Sequence, residues 1–260
     1  MSAGQRHRYV SLRCEDARLV RVTADLRSGV AIGPALWPLM LDGILAAAAR
    51  RQRLGEQYGA VRDPHVECLP LVSTARVGRP WSTSRWVWLA SAATWPEQDP
   101  PRETRYRHRR GWSIRDAEDA RVESPTTPDV GRWKPWRLPS TVLIVPTLTW
   151  WCVGDPERIR GLLDTVPAIG AGHHTGEGAV HRWTVASAGP ADWATVLRTE
   201  DGYPARPIPI RHAATLGVPT AESTIVDTYR PPYWRPLATT AGGVPSLAPV
   251  EVIAPWTRIP

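Results

Sequence analysis

A glycine-rich segment carries the residue pattern that is most informative about chemistry. Ile169–Val180 reads IGAGHHTGEGAV and contains Gly170, Gly172, Gly176 and Gly178. Such spacing removes side chains that would block a phosphate and lets backbone N–H groups converge on an anion. The segment follows a helical pattern and precedes a strand, the reverse of a dinucleotide fingerprint. We expect it to bind a nucleic-acid backbone; the alternative is a glycine-rich turn without a ligand.

A second candidate for anion binding is the basic run Arg102–Arg110, RETRYRHRR. Its cationic residues are Arg102, Arg105, Arg107, Arg109 and Arg110. With one glutamate, Glu103, the run has a net charge of 5 − 1 = +4 before His108 is counted. Arginines at this density contact phosphates, and Tyr106 is available for stacking on a base. The alternative is a solvated arginine-rich loop that reflects only the composition of the chain.

Two adjacent histidines in the glycine loop permit a different chemistry. His173 and His174 have the side-chain type that most often acts as a general acid or base, so metal-independent RNA cleavage is an alternative function. The sequence does not place Tyr106, His108 or another partner beside them. No HExxH, GxSxG or Gly-Lys-Ser/Thr motif occurs, and no His/Asp cluster has metal-ligand spacing. We expect no cofactor and no metal.

Composition limits the class of protein. The chain has 260 residues, 42% of them hydrophobic, with 14 tryptophans, no phenylalanine and a net charge of +7. That hydrophobic content excludes a disordered chain, and the lack of phenylalanine means that tryptophan must fill core positions. No apolar stretch is long enough to span a membrane, no secretory signal is visible, and Cys14, Cys68 and Cys152 form no CxxC pair. We expect a soluble, basic, cytoplasmic protein.

The first half of the chain predicts strand, helix, strand, strand. Arg18–Leu26 alternates apolar and polar residues, as a half-buried strand does. A helix follows, with Asp42 as the expected N-cap and Gly55 as its end. Two further strands are predicted over Val66–Val72 and Trp81–Ala92. Residues 94–140, which include the basic run, have no periodicity and read as a long irregular insertion.

The second half repeats strand, helix, strand. Thr141–Val153 predicts a strand bent by Pro146, and residues 155–166 predict a short helix capped by Asp155. His181–Ala186 predicts the last strand of the core. The order is that of an α+β, modified ferredoxin-like (RRM-like) βαββαβ fold.

We expect one domain over residues 1–260. Its core covers about 17–92 and 141–187, and its proline-rich C-terminal extension covers about 203–260.

The glycine loop between a second helix and a last strand resembles the RAMP superfamily of CRISPR proteins. The segment LWPLMLDGILAAAARRQR after the first strand is similar to the opening of that superfamily. The tryptophan-rich WSTSRWVWLASA before an arginine run, with GYPARPIPI and YRPPYW later, resembles the Cas-five-like subunit of type IV CRISPR effectors. The similarity covers roughly residues 18–55, 80–125, 141–186 and 203–236.

This resemblance implies an RNA-binding structural subunit that caps the 5′ handle of a guide RNA and starts the filament of backbone subunits. The implied partners are guide RNA (crRNA), backbone RAMP subunits and a large subunit, with no membrane. By the same resemblance the glycines of the loop would lie against the RNA backbone, and Arg102–Arg110 would hold handle phosphates or splayed bases. One departure concerns the loop, where His173, His174 and Glu177 stand in place of the family's lysine or arginine. A RAMP endoribonuclease and a purely structural ferredoxin-like protein are the competing interpretations.

Overall fold

The first strand, β1, covers Arg18–Leu26, the range that the sequence predicts. Val20, Val22 and Ala24 are fully buried and Arg21 is exposed, so the predicted alternation is confirmed. One face of this strand therefore lies in the core and the other carries polar side chains.

The fold is taken from a computed structural model, which describes residues 17–32, 39–59, 69–73, 86–96, 100–109, 136–188, 196–197, 205–209, 224–227 and 250–253. After β1, the elements of these residues are β2 Val30–Ile32, α1 Leu41–Leu54, β3 Arg102–Arg109, β4 Trp136–Leu143, β5 Thr147–Gly154, α2 Pro156–Leu163, β6 Val180–Ser187, β7 Ile208–Pro209, β8 Thr224–Asp227 and β9 Val250–Ile253. Two 3-10 turns cover Gly55–Gly59 and His173–Thr175. No helix in these ranges has the length and apolarity to cross a membrane.

The central sheet has the antiparallel order β5–β1–β6. Helix α2 connects its two outer strands, with Asp155 as the predicted N-cap accepting from the amides of Glu157 and Arg158. Residues from α1 and α2 pack on the buried face of β1 to form the main core, in which Leu45, Ile159 and Leu163 are almost fully buried.

Tryptophan fills the core as the absence of phenylalanine requires. Trp86, Trp88 and Trp150 are at most 3% exposed. The Trp150 indole N–H donates to the carbonyl of Leu39 at 2.7 Å, which satisfies the polar atom of a buried ring.

The described residues of the strands predicted over Val66–Val72 and Trp81–Ala92 form no regular strand. Their residues within the described ranges make isolated antiparallel bridges, among them Ala90 to Cys152 and Leu71 to Gly154. These bridges lie along β5, on the edge away from β1. The other residues of the two predicted strands lie outside the described residues.

The basic run is a strand and not part of an irregular insertion. Arg102–Arg109 forms β3, which pairs antiparallel with β4 along its whole length. The short β2 pairs with the other edge of β4, but only over Thr141–Leu143, giving the order β2–β4–β3. The predicted bent strand Thr141–Val153 is accordingly divided at residues 144–146 between two sheets.

Asp42 is not the N-cap of α1. The cap position is Met40, which makes no side-chain cap, and Asp42 lies in the first turn, fully buried. Its carboxylate accepts a hydrogen bond of 3.0 Å from Arg206, which is also fully buried. Arg206 donates in addition to the carbonyls of Trp88 and Ala90. One guanidinium thus joins the C-terminal extension, α1 and the edge of the central sheet.

The rest of the fold agrees with the α+β class. Helix α1 ends at the predicted Gly55, whose positive φ of 53° is a conformation that favours glycine. In the C-terminal extension, β7, β9 and β8 form a third small sheet, and Ile208 is buried in a second apolar cluster with Val153 and Leu197.

The buried ion pair gives a prediction about stability. Asp42→Asn removes the carboxylate that pairs with the buried Arg206 guanidinium, which costs about 3–5 kcal/mol. The matched control is Asp25→Asn, because the partner of Asp25 is Arg182, which is 69% exposed. That exposed pair contributes about 0–1 kcal/mol. Urea unfolding, monitored by tryptophan fluorescence, measures the unfolding free energy of both variants. Equal losses of unfolding free energy in the two would contradict the assignment of a buried ion pair to Asp42 and Arg206.

Candidate functional site

The glycine loop is attached to the turn between β1 and β2. The Ser28 hydroxyl donates to the carbonyl of Gly176 at 2.8 Å and accepts from the amide of Ala179 at 3.1 Å. The amide of Gly178 donates to the carbonyl of Gly29 at 2.8 Å. These bonds fix the far end of the loop against the end of β1.

The glycines of the loop meet different steric requirements. Gly170 and Gly178 both have positive φ, and a Cβ on either would collide with backbone, that of Ala31 and that of Ile169 respectively. Gly176 also has positive φ, 90°, but a Cβ there would meet nothing within 4 Å. Gly170 and Gly178 are therefore needed for packing within the chain, whereas a side chain at Gly176 would extend into open space at the surface.

Several amides of the loop are already used within the chain. Those of Gly176 and Gly178 donate to the carbonyls of His173 and Gly29, and that of Glu177 donates to Gly172. These three amides do not form the anion-binding cluster that the glycine spacing suggests. The groups of this loop that are left for a ligand are its remaining backbone and its exposed side chains.

The two histidines of the loop are exposed and lie edge to face, with ring centroids 5.7 Å apart. Nδ1 of His173 lies 3.1 Å from the carbonyl oxygen of Gly170. Because a carbonyl only accepts, Nδ1 carries the proton, and Nε2 of a neutral His173 is left as an acceptor. This side chain can therefore accept a hydrogen bond from a ribose hydroxyl or a base N–H.

The carboxylate of Glu177 is not presented to solvent, although its position in the sequence suggests that it would repel a phosphate on the loop. It is 6% exposed, and its carboxylate accepts from the hydroxyl of Thr175 at 3.2 Å. The acidic group is held within the loop, and the histidines form its outer surface.

Two cations beside the loop were not found by sequence reasoning. Arg27, next to the loop's attachment point, donates to Nδ1 of His181 at 3.1 Å and 3.3 Å. Arg182 pairs with Asp25 at 2.8 Å across β1 and β6. Strand alternation could have marked Arg182, two residues after the loop, as solvent-facing. Arg27 follows the end of β1, and its closeness to the loop is visible only in the fold.

We use the name arginine arm for the paired strands β3 and β4. Every residue from Arg102 to Tyr106 is exposed, so both faces of β3 are in contact with solvent there. The arm contains five arginines, Arg102, Arg105, Arg107, Arg109 and Arg137, against one glutamate, Glu103, a net charge of +4. A two-stranded ribbon of this kind presents cations on both sides.

Individual side chains of the arm can be placed up to Tyr106. Arg105 pairs with Glu103 at 2.9 Å, although both remain about half exposed. Tyr106 is 50% exposed, and the guanidinium of Arg137 lies over its ring at 3.9 Å from the centroid. Arg110 lies outside the described residues, as do the side chains of Arg107 and Arg109.

The glycine loop and the arginine arm meet at β2. The amide of Ala171 donates to the carbonyl of Ala31 at 3.0 Å, and Ala31 pairs with Val142 of the arm. Val142 in turn pairs with Glu103 on β3. The two segments singled out in the sequence, about 70 residues apart in the chain, are thus separated by one strand.

Other titratable groups of the described residues give no second site. Cys152 is fully buried, and burial raises the pKa of its thiol far above the usual range, so it stays protonated. No group of three or more His, Cys, Asp or Glu side chains in the described ranges could hold a metal ion.

Comparison with known proteins identifies the family. The family model of the CRISPR type IV associated protein Csf3 matches residues 19–244. The chain belongs to the Csf3 family. This confirms the recognition of a type IV CRISPR protein from the glycine loop, the tryptophan-rich segment and the arginine run.

Two further comparisons concern curated proteins and solved structures. No curated protein matches this Csf3-family chain. A chain of a solved structure described as "Cryo-EM structure of the Type III-B Cmr-beta bound to cognate target RNA" is 12% identical, with a TM-score of 0.35. The match covers 67% of this chain and 62% of that one.

The loop glycines give a second prediction. Gly178→Ala places a Cβ on a residue with positive φ and in collision with the backbone of Ile169. We expect it to lower the unfolding free energy by about 1–2 kcal/mol through backbone strain and by about 1–3 kcal/mol more through overpacking. Gly176→Ala bears the strain alone and is the matched control. Thermal unfolding of both variants tests this difference, and an equal or larger loss in Gly176→Ala would contradict it.

Proposed function

We propose that this protein is an RNA-binding structural subunit of a type IV CRISPR ribonucleoprotein. It caps the 5′ handle of the guide RNA and docks the first backbone subunit of the filament. The observation that carries the proposal is the meeting of the glycine loop and the arginine arm at β2. Family membership supports the CRISPR context, and the geometry supports a single continuous RNA contact.

Electrostatics supports RNA as the ligand of this region. The arm has a net charge of +4, Arg27 lies beside the loop, and the one acidic residue of the loop points inward. Phosphate attraction supplies most sequence-independent affinity for nucleic acid, and it increases with the number of cations that reach the backbone. The exposed histidines add hydrogen-bonding groups without a fixed charge.

The arm supports base contacts as well as phosphate contacts. Arg137 covers one face of Tyr106 while half of the side chain remains exposed. A base stacked on that ring would contribute about 1–3 kcal/mol without regard to sequence. This arrangement supports the part of the proposal in which Tyr106 stacks on a splayed handle base.

The proposal includes the modified ferredoxin-like fold and a single RAMP-like domain. Support comes from the order β6–β1–β5, from α2 between β5 and β6, and from the bridges that residues 90 and 94 make with the outer edge of β5. A ferredoxin-like sheet has its first strand between the third and fourth and its second strand at that outer edge. Backbone RAMP subunits and a large subunit remain the proposed protein partners.

The competing function is a metal-independent endoribonuclease that uses His173 or His174. The proton on Nδ1 of His173 leaves Nε2 as a potential base. Among the described residues, however, the ring of His173 contacts the ring of His174, and no carboxylate is seen to orient either imidazole. Precursor RNA cut by the isolated protein, with cutting lost and binding kept in His173→Ala or His174→Ala, would favour the nuclease.

Salt-dependent RNA binding by the full chain tests the proposal. If four arm arginines contact phosphates of single-stranded RNA, a plot of log affinity against log salt has a slope of about −3, at roughly −0.7 per contact. Arg105→Ser with Arg107→Ser should reduce the steepness by about 1.4. Fluorescence anisotropy with a labelled RNA at several salt concentrations measures the slope.

The matched control removes the same charge elsewhere. Arg18 and Arg21 are exposed on β1, away from the arm, and the double variant Arg18→Ser with Arg21→Ser should leave the slope unchanged. If both double variants reduce the slope equally, the arginines act only through overall charge, and the structural interpretation of the arm is wrong.

A further inference from the structure

A groove between the two helices lies outside the region assigned to RNA. Its volume is about 410 Å³, and it is lined by Ala49 and Gln52 of α1, Arg158, Gly161 and Leu162 of α2, and Pro70. Ala49 and Gln52 are three positions apart, and Arg158 is three and four positions before Gly161 and Leu162, so the lining residues form one stripe along each helix. The volume is sufficient for one or two large side chains from another molecule.

Gly161 in this groove has no evident role within the chain. It lies inside helix α2 and is exposed, and a Cβ added to it would meet nothing within 4 Å. Glycine is the least favourable helix residue after proline. The fold therefore bears a destabilising residue at a position in this groove where a visiting group could approach the backbone of α2 directly.

Arg158 gives the groove its charge. It is the charged side chain of the lining, it is exposed, and no ion pair to its guanidinium is seen among the described residues. The neighbouring acid, Glu157, is already paired with Arg160 at 2.8 Å. Arg51, in the last turn of α1, adds a further positive charge beside Gln52.

The groove is at the opposite end of the central sheet from the glycine loop. Pro70 accepts from the amide of Asp155, directly after β5 ends at Gly154. The glycine loop is attached at the other end, where Asp25 pairs with Thr147 at the start of β5. The eight residues of β5 separate the two regions by about 25 Å.

We propose that this groove docks an acidic segment of a protein partner, with an apolar side chain seated over Gly161 and a carboxylate paired with Arg158. The aliphatic floor of Ala49, Pro70 and Leu162 suits an apolar side chain, and the lining has no aromatic ring on which a base could stack. An exposed cation that has no ion pair within the described ranges, beside an aliphatic floor, complements an acidic amphipathic segment, not an RNA backbone. The inference does not depend on the RNA-binding role of the opposite end.

Site-specific cross-linking tests the proposal in the assembled ribonucleoprotein. A photo-reactive amino acid in place of Gln52 should cross-link to an acidic segment of another protein, identified by mass spectrometry of the complex made with the proteins encoded beside this one. Arg158→Glu should reduce that cross-link about tenfold or more, because it places like charges in contact. The amount and length of RNA in the complex should stay unchanged.

Two variants separate docking from folding. Arg21→Glu makes the same charge change on the other face of the central sheet and should leave the cross-link intact. Gly161→Ala should raise the Tm of the isolated chain by about 2–4 °C while it weakens the cross-link, a combination that a merely structural glycine would not show.

Several results would overturn the inference. One is a cross-link from position 52 to RNA, to a second copy of this chain or to a segment without acidic residues. Another is the absence of any protein cross-link. A cross-link that survives Arg158→Glu would do the same. Loss of RNA from every variant would instead contradict the proposed RNA-binding function, because the RNA content of each complex is measured separately from the cross-link.

Discussion

The contact between the glycine loop and the β1–β2 turn is the constraint on which the rest of the candidate site depends. Gly178 can approach Ile169 and bond to Gly29 only because it has no Cβ and adopts a positive φ. That attachment brings Ala171 onto Ala31, and β2 in turn holds the base of the arginine arm. Loss of the contact would separate the glycine loop from the arginine arm, which are distant from each other in the chain.

The parts of the fold that bury one face could be predicted from sequence. Strand β1 and helix α2 alternate or repeat apolar residues at the period of their structure, and Asp155 and Gly55 mark helix ends by local chemistry. The arm could not be found in this way. Both its faces meet solvent over Arg102–Tyr106, so burial imposes no period on its sequence, and it resembles a loop.

Polar contacts between residues distant in the chain could not be predicted from the sequence either. Asp42 has the residue type of an N-cap, and only the fold shows that its partner is Arg206, 164 residues later in the chain. The residues of the candidate site could be singled out in the sequence because glycine spacing and arginine density are local signals; their part in binding stays a prediction. Their roles differ from the simple expectation, since loop amides are used internally and Glu177 is buried. The resulting molecule has a basic, polar end and, about 25 Å away along β5, a groove lined by both aliphatic and polar residues.

The most direct test of the account is ultraviolet cross-linking of the assembled ribonucleoprotein, with the RNA-linked peptides of this chain identified by mass spectrometry. We expect RNA adducts on the peptide that contains Tyr106 and on the peptide that contains His173 and His174, both joined to the same 5′ region of one RNA. Adducts confined to other parts of the chain, or found on only one of these two peptides, would contradict a single RNA contact formed by the loop and the arm together.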